Sequence, residues 1–427
     1  MKEIKLKGLN ETIYEHTTKE GLRVYMWVND KVSSAYYSLS VKYGSIDTKF
    51  KVGKKTYEVP NGVAHFLEHV KFNYSKDTTA HDIFYKLGAD ANAFTTFDYT
   101  SYIVFTTNKK TEVLNTLLDF VYKPYFTARM ISKEKGIIVE EANMGVDDAY
   151  SDCYYHSLQN IFQKSKYRNL ITGNQSEIKS ITLDDIKLAY DLFYHPKNMF
   201  LCITGNINPY EMAKVVDENL SKKEFSNYKN PQVIKEEEPR KVNCKYDEYY
   251  CNLTYPRLKY AIKLSKSKFK DFDLVDVRII TNLILNINFG ETSLFKEELM
   301  EKELITGMYY NTDFYADYFV ITITATTKYQ EEVKKKIEEK LKNLEVNNKE
   351  LTRKRNALIA TMILNFEDIE VVNSSMQDDI MLEDKIIDDV KERLSNYKLS
   401  DLEKVMNLIK IDNVSVSVFL PNKNPEE

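Results

Sequence analysis

The sequence predicts an α+β fold made of two similar halves, and three observations carry that expectation. The chain is 427 residues long, too long for one ordinary core and suited to two domains of about 200 residues each. Short alternating segments typical of strands are interspersed with amphipathic helical stretches throughout. Both halves close in the same way, on a capping-box sequence, a helix and a buried strand, which suggests an ancient duplication of one α+β unit.

In chain order, strands are expected at 21–28 and 34–43, then helices at 61–72 and 80–87, the second stopped by Gly88. Strands at 91–97 and 100–107 precede helices at 112–122, 129–144 and 149–163. Thr182 and Asp185 form a capping box whose helix leads into the apolar strand 200–205. The stretch 221–241 is polar, carries two prolines and lacks periodicity, so it is the expected linker between domain 1–220 and domain 242–427. The second half repeats the pattern, with helices expected at 272–285, 330–344, 349–365 and 384–396 and a strand at 318–327. Ser400 and Glu403 supply a second capping box before the strand 414–420.

Composition narrows the function. The formal charge is −4, which argues against a nucleic-acid partner. Hydrophobic residues make up 43% of the chain, yet no run approaches a membrane span. The N-terminus MKEIKLKGLNETIYEH has no apolar segment, so no secretory signal is expected. Four scattered cysteines without a C-x-x-C pair suit reduced structural thiols in a cytoplasmic protein.

The chemistry is concentrated in His65-Phe66-Leu67-Glu68-His69. On a helix, His65 and His69 lie one turn apart on one face and can reach a single metal ion, and Glu68 sits beside that face where a carboxylate can take a proton from water. This H-x-x-E-H order inverts the H-E-x-x-H zinc motif. A surface His–Glu salt bridge is the plain alternative, but Val63, Ala64, Phe66, Leu67 and Val70 make the helix largely buried, where polar groups need partners. Zinc in a catalytic site needs a third protein ligand. Glu134 and Glu141 lie two turns apart on one helix face, so one can serve as ligand and the other as partner to a histidine, while Glu140 should face elsewhere. His16, His81, His156 and His195 are expected to be structural or surface residues.

These motifs resemble the pitrilysin/insulinase family of inverted-motif zinc metallopeptidases, in particular a small two-domain bacterial subgroup. The third-ligand glutamate of that family falls at Glu141, with Glu134 seven residues before it. The segment Gly88-Ala-Asp-Ala-Asn-Ala-Phe-Thr95 resembles the family's G-A-x-x-N-A-x-T region, and Tyr194-His-Pro-Lys-Asn-Met199 its Y-x-P-x-N-M segment. The resemblance implies two homologous domains, each an antiparallel sheet backed by helices. It also implies one Zn²⁺ per chain on His65, His69 and Glu141, with Glu68 as base and Glu134 orienting a histidine. Peptide substrate would add as a strand near Asn92, Ala93 and Phe94, inside a chamber of four such domains. Family members also carry an Arg, and a Tyr seven residues later, that face the zinc. Here Met300 stands at the Arg position and no Tyr falls at the expected offset; Tyr309 and Tyr310 do not replace a guanidinium. A homologous partner subunit supplying that pair is therefore expected, a heterodimer in preference to a homodimer. The resulting expectation is a zinc endopeptidase of the cytoplasm, with a role in peptide maturation as one use. The competing readings are a non-catalytic peptide-binding or scaffold subunit of the same fold, and a different hydrolase using the same ligands.

Overall fold

A computed structural model describes residues 1–422. It divides into two compact units: Met1–Ala142, Leu170–Lys235 and Met362–Val390 form the first, and Asn143–Asn169, Glu236–Thr361 and the chain from Lys391 onward form the second. The chain crosses from one unit to the other at 235/236, inside the expected linker, but the units are not the contiguous domains 1–220 and 242–427. Each takes a segment from the other half of the chain.

In the first unit a seven-stranded sheet has the order Lys2–Lys5, Thr12–Thr17, Arg23–Val28, Met199–Gly205, Ala35–Val41, Thr100–Thr106, Ala89–Thr95. In the second, five strands run in the order Tyr246–Cys251, Val414–Pro421, Arg257–Ser265, Tyr318–Thr326, Gly307–Tyr315. Leaving aside the N-terminal hairpin and numbering the other five strands along the chain, both sheets read 1-5-2-4-3. Neither sheet is wholly antiparallel. In each, the first and last strands pair parallel, Phe200 opposite Arg23 in one and Val416 opposite Tyr246 in the other.

The first sheet is covered on both faces, and the period of two along its strands sorts side chains between the two cores. Val24, Met26, Leu201 and Ile203 enter the core that holds the helix Val63–Lys71. Their neighbours Tyr25, Trp27, Phe200 and Cys202 enter a second core with Ile369, Val372, Met376 and Ile380 of the helix Ile369–Glu383. This helix was not among those expected, and it lies wholly before the expected 384–396 helix. Asp384 adopts a left-handed conformation (φ 57) that ends it, and a separate helix spans Val390–Asn396. Its buried face is partly polar: the Ser38 hydroxyl donates to Asn373 Oδ1 (2.5 Å), Asn373 Nδ2 donates to the Cys202 carbonyl (3.2 Å), and Ser40 donates to Gln377 Oε1 (3.0 Å).

The capping box at Thr182 and Asp185 forms as expected. The second does not. Its helix spans Leu399–Met406, starting earlier, and Asp401 rather than Glu403 accepts from the backbone N–H of Lys398 (3.0 Å). In the second unit Cys251 lies beside Cys153, with 3.5 Å between sulfurs, not beside Cys244; all four cysteines are free thiols. Among the described residues no helix is long and apolar enough to cross a membrane.

Candidate metal centre

The helix Val63–Lys71 is fixed at both ends within the first unit. Its N-cap Gly62 has φ 88, and a Cβ there would lie 2.2 Å from the Thr172 carbonyl oxygen, so only glycine permits this start. At the other end the buried Lys71 ammonium donates to the Lys123 carbonyl (2.7 Å) and lies over the rings of Phe120, Phe126 and Tyr190. Burial pushes its pKa down to about 7. Between these anchors Val63, Ala64, Phe66, Leu67 and Val70 are fully packed. One helix face therefore remains for His65, Glu68 and His69. Of these, His65 (8% exposed) and Glu68 (7% exposed) are buried polar groups.

Facing them is the helix Ala128–Asp147, seated through Ile131, Ile138, Val139 and Ala142. Glu134 and Glu141 project from it toward the histidines, and Glu140 is solvent-exposed. Glu141 brings Oε1 to 3.4 Å from His65 Nε2 and Oε2 to 3.1 Å from His69 Nε2. Glu134 Oε1 lies 3.1 Å from the other nitrogen of His69, Nδ1. Ligand atoms of His65, His69 and Glu141 all fall within 4.8 Å of one another, the only such metal-capable group among the described residues.

The charge pattern fits a divalent cation. His69 meets a carboxylate at each ring nitrogen, which a neutral imidazole with a single N–H cannot satisfy. Burial alone would disfavour charge on His69, but the hydrogen bonds to Glu134 and Glu141 outweigh it and raise its pKa to about 10. Hydrogen bonds from His65 and His69 hold Glu141 far below the ordinary carboxylate range. His65, His69 and Glu141 could hold a divalent metal here, with the Nδ1–H of His69 donating to Glu134. His65 Nδ1 is buried without a hydrogen-bond partner, so only one of the two imidazoles has its orientation set by a carboxylate behind it.

Glu68 points to the end strand of the sheet. The Thr95 hydroxyl donates to Glu68 Oε2 (2.7 Å) and lies 3.3 Å from Thr100 Oγ1, which itself donates to the Tyr43 carbonyl (3.0 Å). Thr95 closes the strand Ala89–Thr95, which pairs on one side only, with Thr100–Thr106. Asn92, Ala93 and Phe94 lie on that strand. The Asn92 side chain folds back to accept from the N–H of Ala93 (2.9 Å), and Phe94 packs edge-on against Tyr99. The sequence reading did not single out Thr95, although it ends the very segment that does carry Asn92, Ala93 and Phe94.

The remaining histidines have other partners: His16 with Asp217, His156 with Asp247, His195 with the Ser226 carbonyl, and His81 stacked on Phe72. In the second unit Met300 is 47% exposed on the helix Leu294–Glu301, Tyr309 is exposed, and Tyr310 donates to Asn282 Oδ1 (2.9 Å).

Comparison with known proteins matches two family models to successive stretches of the chain. Residues 26–174 match the family model described as Insulinase (Peptidase family M16), and residues 180–358 match the one described as Peptidase M16 inactive domain. The uncharacterized zinc protease YmfH of Bacillus subtilis is 37% identical over 323 residues, 74% of each chain. A solved chain from Alicyclobacillus acidocaldarius, described as an M16-like peptidase, superposes with a TM-score of 0.90 at 25% identity over 97% of this chain and 99% of its own. Pitrilysin shares the fold at 14% identity and a TM-score of 0.77, with 98% of this chain matching 46% of pitrilysin.

Proposed function

The chain belongs to the insulinase family, peptidase family M16, and on that premise we propose that it is a zinc-dependent endopeptidase. The observation that carries this reading is the convergence of His65, His69 and Glu141, with Glu68 held beside them by Thr95 at the end of a strand with a free side.

His65, His69 and Glu141 would hold the zinc, which when bound would supply Lewis acidity to activate water near neutral pH and to polarise the scissile carbonyl. Glu68 takes the proton of the attacking water and returns it to the leaving amine. Thr95 occupies Oε2 of Glu68 and leaves Oε1 free for that transfer. Glu134 holds the Nδ1–H of His69, fixing the tautomer that presents Nε2. The open side of Ala89–Thr95 offers main-chain groups to an extended peptide, so recognition demands little of its sequence. Short peptides, unfolded segments and precursor peptides undergoing maturation share that requirement.

A second subunit completes the proposed enzyme. Met300 stands where the family carries Arg, and no tyrosine follows seven residues later; the chain also spans under half of pitrilysin's length. A homologous partner bringing the Arg/Tyr pair, in a heterodimer, would close the chamber and stabilise the oxyanion.

The test is zinc content and peptide hydrolysis on wild type and Glu68→Gln, each alone and with a homologous Arg/Tyr subunit. One zinc per chain in both proteins, with cleavage only in wild type and faster with the partner, is the expected result. Absence of zinc after metal supply would overturn the site, and zinc without cleavage in every combination would leave a non-catalytic peptide-binding subunit.

A further inference from the structure

Among the described residues four lysines are buried: Lys71, Lys263, Lys296 and Lys354. Three are compensated. Lys71 has a carbonyl and three ring faces, Lys263 has Glu238 and the Ile161 and Pro239 carbonyls, and Lys296 has Glu291 (2.5 Å) and the Met308 carbonyl (2.9 Å).

Lys354, 4% exposed, differs. Its ammonium donates to a single neutral atom, Thr292 Oγ1 (2.8 Å). That same oxygen accepts from Arg353 Nη1 (2.9 Å), and Arg353 Nη2 donates to the Thr292 carbonyl (3.0 Å). Two cations thus converge on one hydroxyl. The nearby carboxylates are already engaged: Glu350 accepts from Arg353 Nε (3.1 Å) and Nη2 (2.6 Å), and Glu291 is paired with Lys296. Glu350 is thus the counter-charge of two cations, and burial, then Arg353, lower the pKa of Lys354 while Glu350 raises it. An uncompensated buried charge is costly, and an anion is the group that removes the cost.

There is room for one. Lys354 and Arg353 line a cavity of about 410 Å³ whose other walls include Phe289, Tyr309, Tyr310 and Glu291, the last paired with Lys296, a volume suited to a small ligand. The donors are unspent. The ammonium has two further N–H groups, and Thr292, already accepting twice, has its own O–H left to give.

We propose that this cavity in the second unit is an oxyanion-binding site, in which Lys354, Arg353 and the Thr292 hydroxyl hold a carboxylate or phosphate group and the aromatic wall takes the apolar part of its carrier. The two sources sharing this chemistry are the C-terminal carboxylate of a peptide and a free or esterified phosphate. The site does not depend on the metal-centre reading.

The full chain is titrated calorimetrically, at constant ionic strength in chloride, with inorganic phosphate, N-acetyl-phenylalanine and N-acetyl-phenylalaninamide. The same titrations are run on Lys354→Gln, on Thr292→Val and on His69→Ala, which removes a metal ligand. Saturable binding of phosphate, or of the acid but not the amide, that persists in His69→Ala and weakens at least tenfold in Lys354→Gln is the expected result. Phosphate alone identifies a phosphate ligand; the acid alone identifies a peptide terminus. No saturable binding of either in wild type overturns the site. So does binding that survives Lys354→Gln but disappears in His69→Ala, which would place the anion on the metal. Should Lys354→Gln not fold, undiminished affinity in Thr292→Val overturns it and a tenfold loss sustains it.

Discussion

The Thr95 hydroxyl donates to Oε2 of Glu68 at 2.7 Å, which joins the proposed base to the strand on which substrate is proposed to lie. Glu68 is buried, so the bond is shielded from water and worth on the order of 1–2 kcal/mol. Thr95→Val keeps the shape and removes the donor. It is expected to lower kcat/KM about tenfold with zinc content unchanged, whereas Thr95→Ser should restore activity. Full activity in the valine variant would show that the contact does not position the base.

Glu134 contacts His69 at the nitrogen that faces away from Glu141. Glu134→Gln should leave the fold intact and weaken zinc binding by about 10–100-fold, measured by competition with a chelator of known affinity. Glu140→Gln, on the exposed neighbour, should not change it.

Asp47 is buried and accepts from the N–H of Gly44 (2.8 Å). Burial is the main influence and raises its pKa to about 7. The unfolded chain releases this proton in the ordinary carboxylate range, while the folded chain keeps it until about 7. Folding therefore takes up a proton between those values, so stability falls as pH rises through the window and levels off above it. Asp47→Asn stays neutral and can still accept from Gly44. Urea unfolding should show the variant more stable by on the order of 3 kcal/mol at pH 8 and equal to wild type near pH 4. His69 and Glu141 titrate alike in both proteins and cancel.

Asn373 ties the helix Ile369–Glu383 to the sheet through Ser38 and the Cys202 carbonyl. Asn373→Ala leaves those groups buried and unpaired and should cost roughly 2–3 kcal/mol, read as a lower urea midpoint. Asn373→Asp keeps only the acceptor and buries a charge, and should cost more.

Legibility followed the range of the interactions. The histidine helix and its three polar positions could be read from spacing alone, because i, i+3 and i+4 positions share a face on any helix. The strands that carry it were readable for the same reason: Val24, Met26, Leu201 and Ile203 alternate with residues of the opposite face. The helix Ile369–Glu383 was not. Its buried side includes Asn373 and Gln377, which weakens the apolar period, and those amides make sense only against Ser38 and Ser40, more than 330 residues earlier. The division into units rests on the same kind of contact, since a helix such as this is assigned by what it covers and not by where it lies in the chain.

At the site itself, residue spacing was enough to read a donor set of two imidazoles one turn apart and two carboxylates two turns apart, because helix periodicity is local and rigid. It could not decide which carboxylate meets which nitrogen. Tertiary packing decided that, placing Glu141 between the two Nε2 atoms and Glu134 behind His69 at Nδ1. Periodicity sets only the face on which a side chain stands, whereas the axial offset between two helices is set by the cores that seat them. The same holds for Thr95, whose contact with Glu68 exists because the histidine helix crosses the end of the strand Ala89–Thr95.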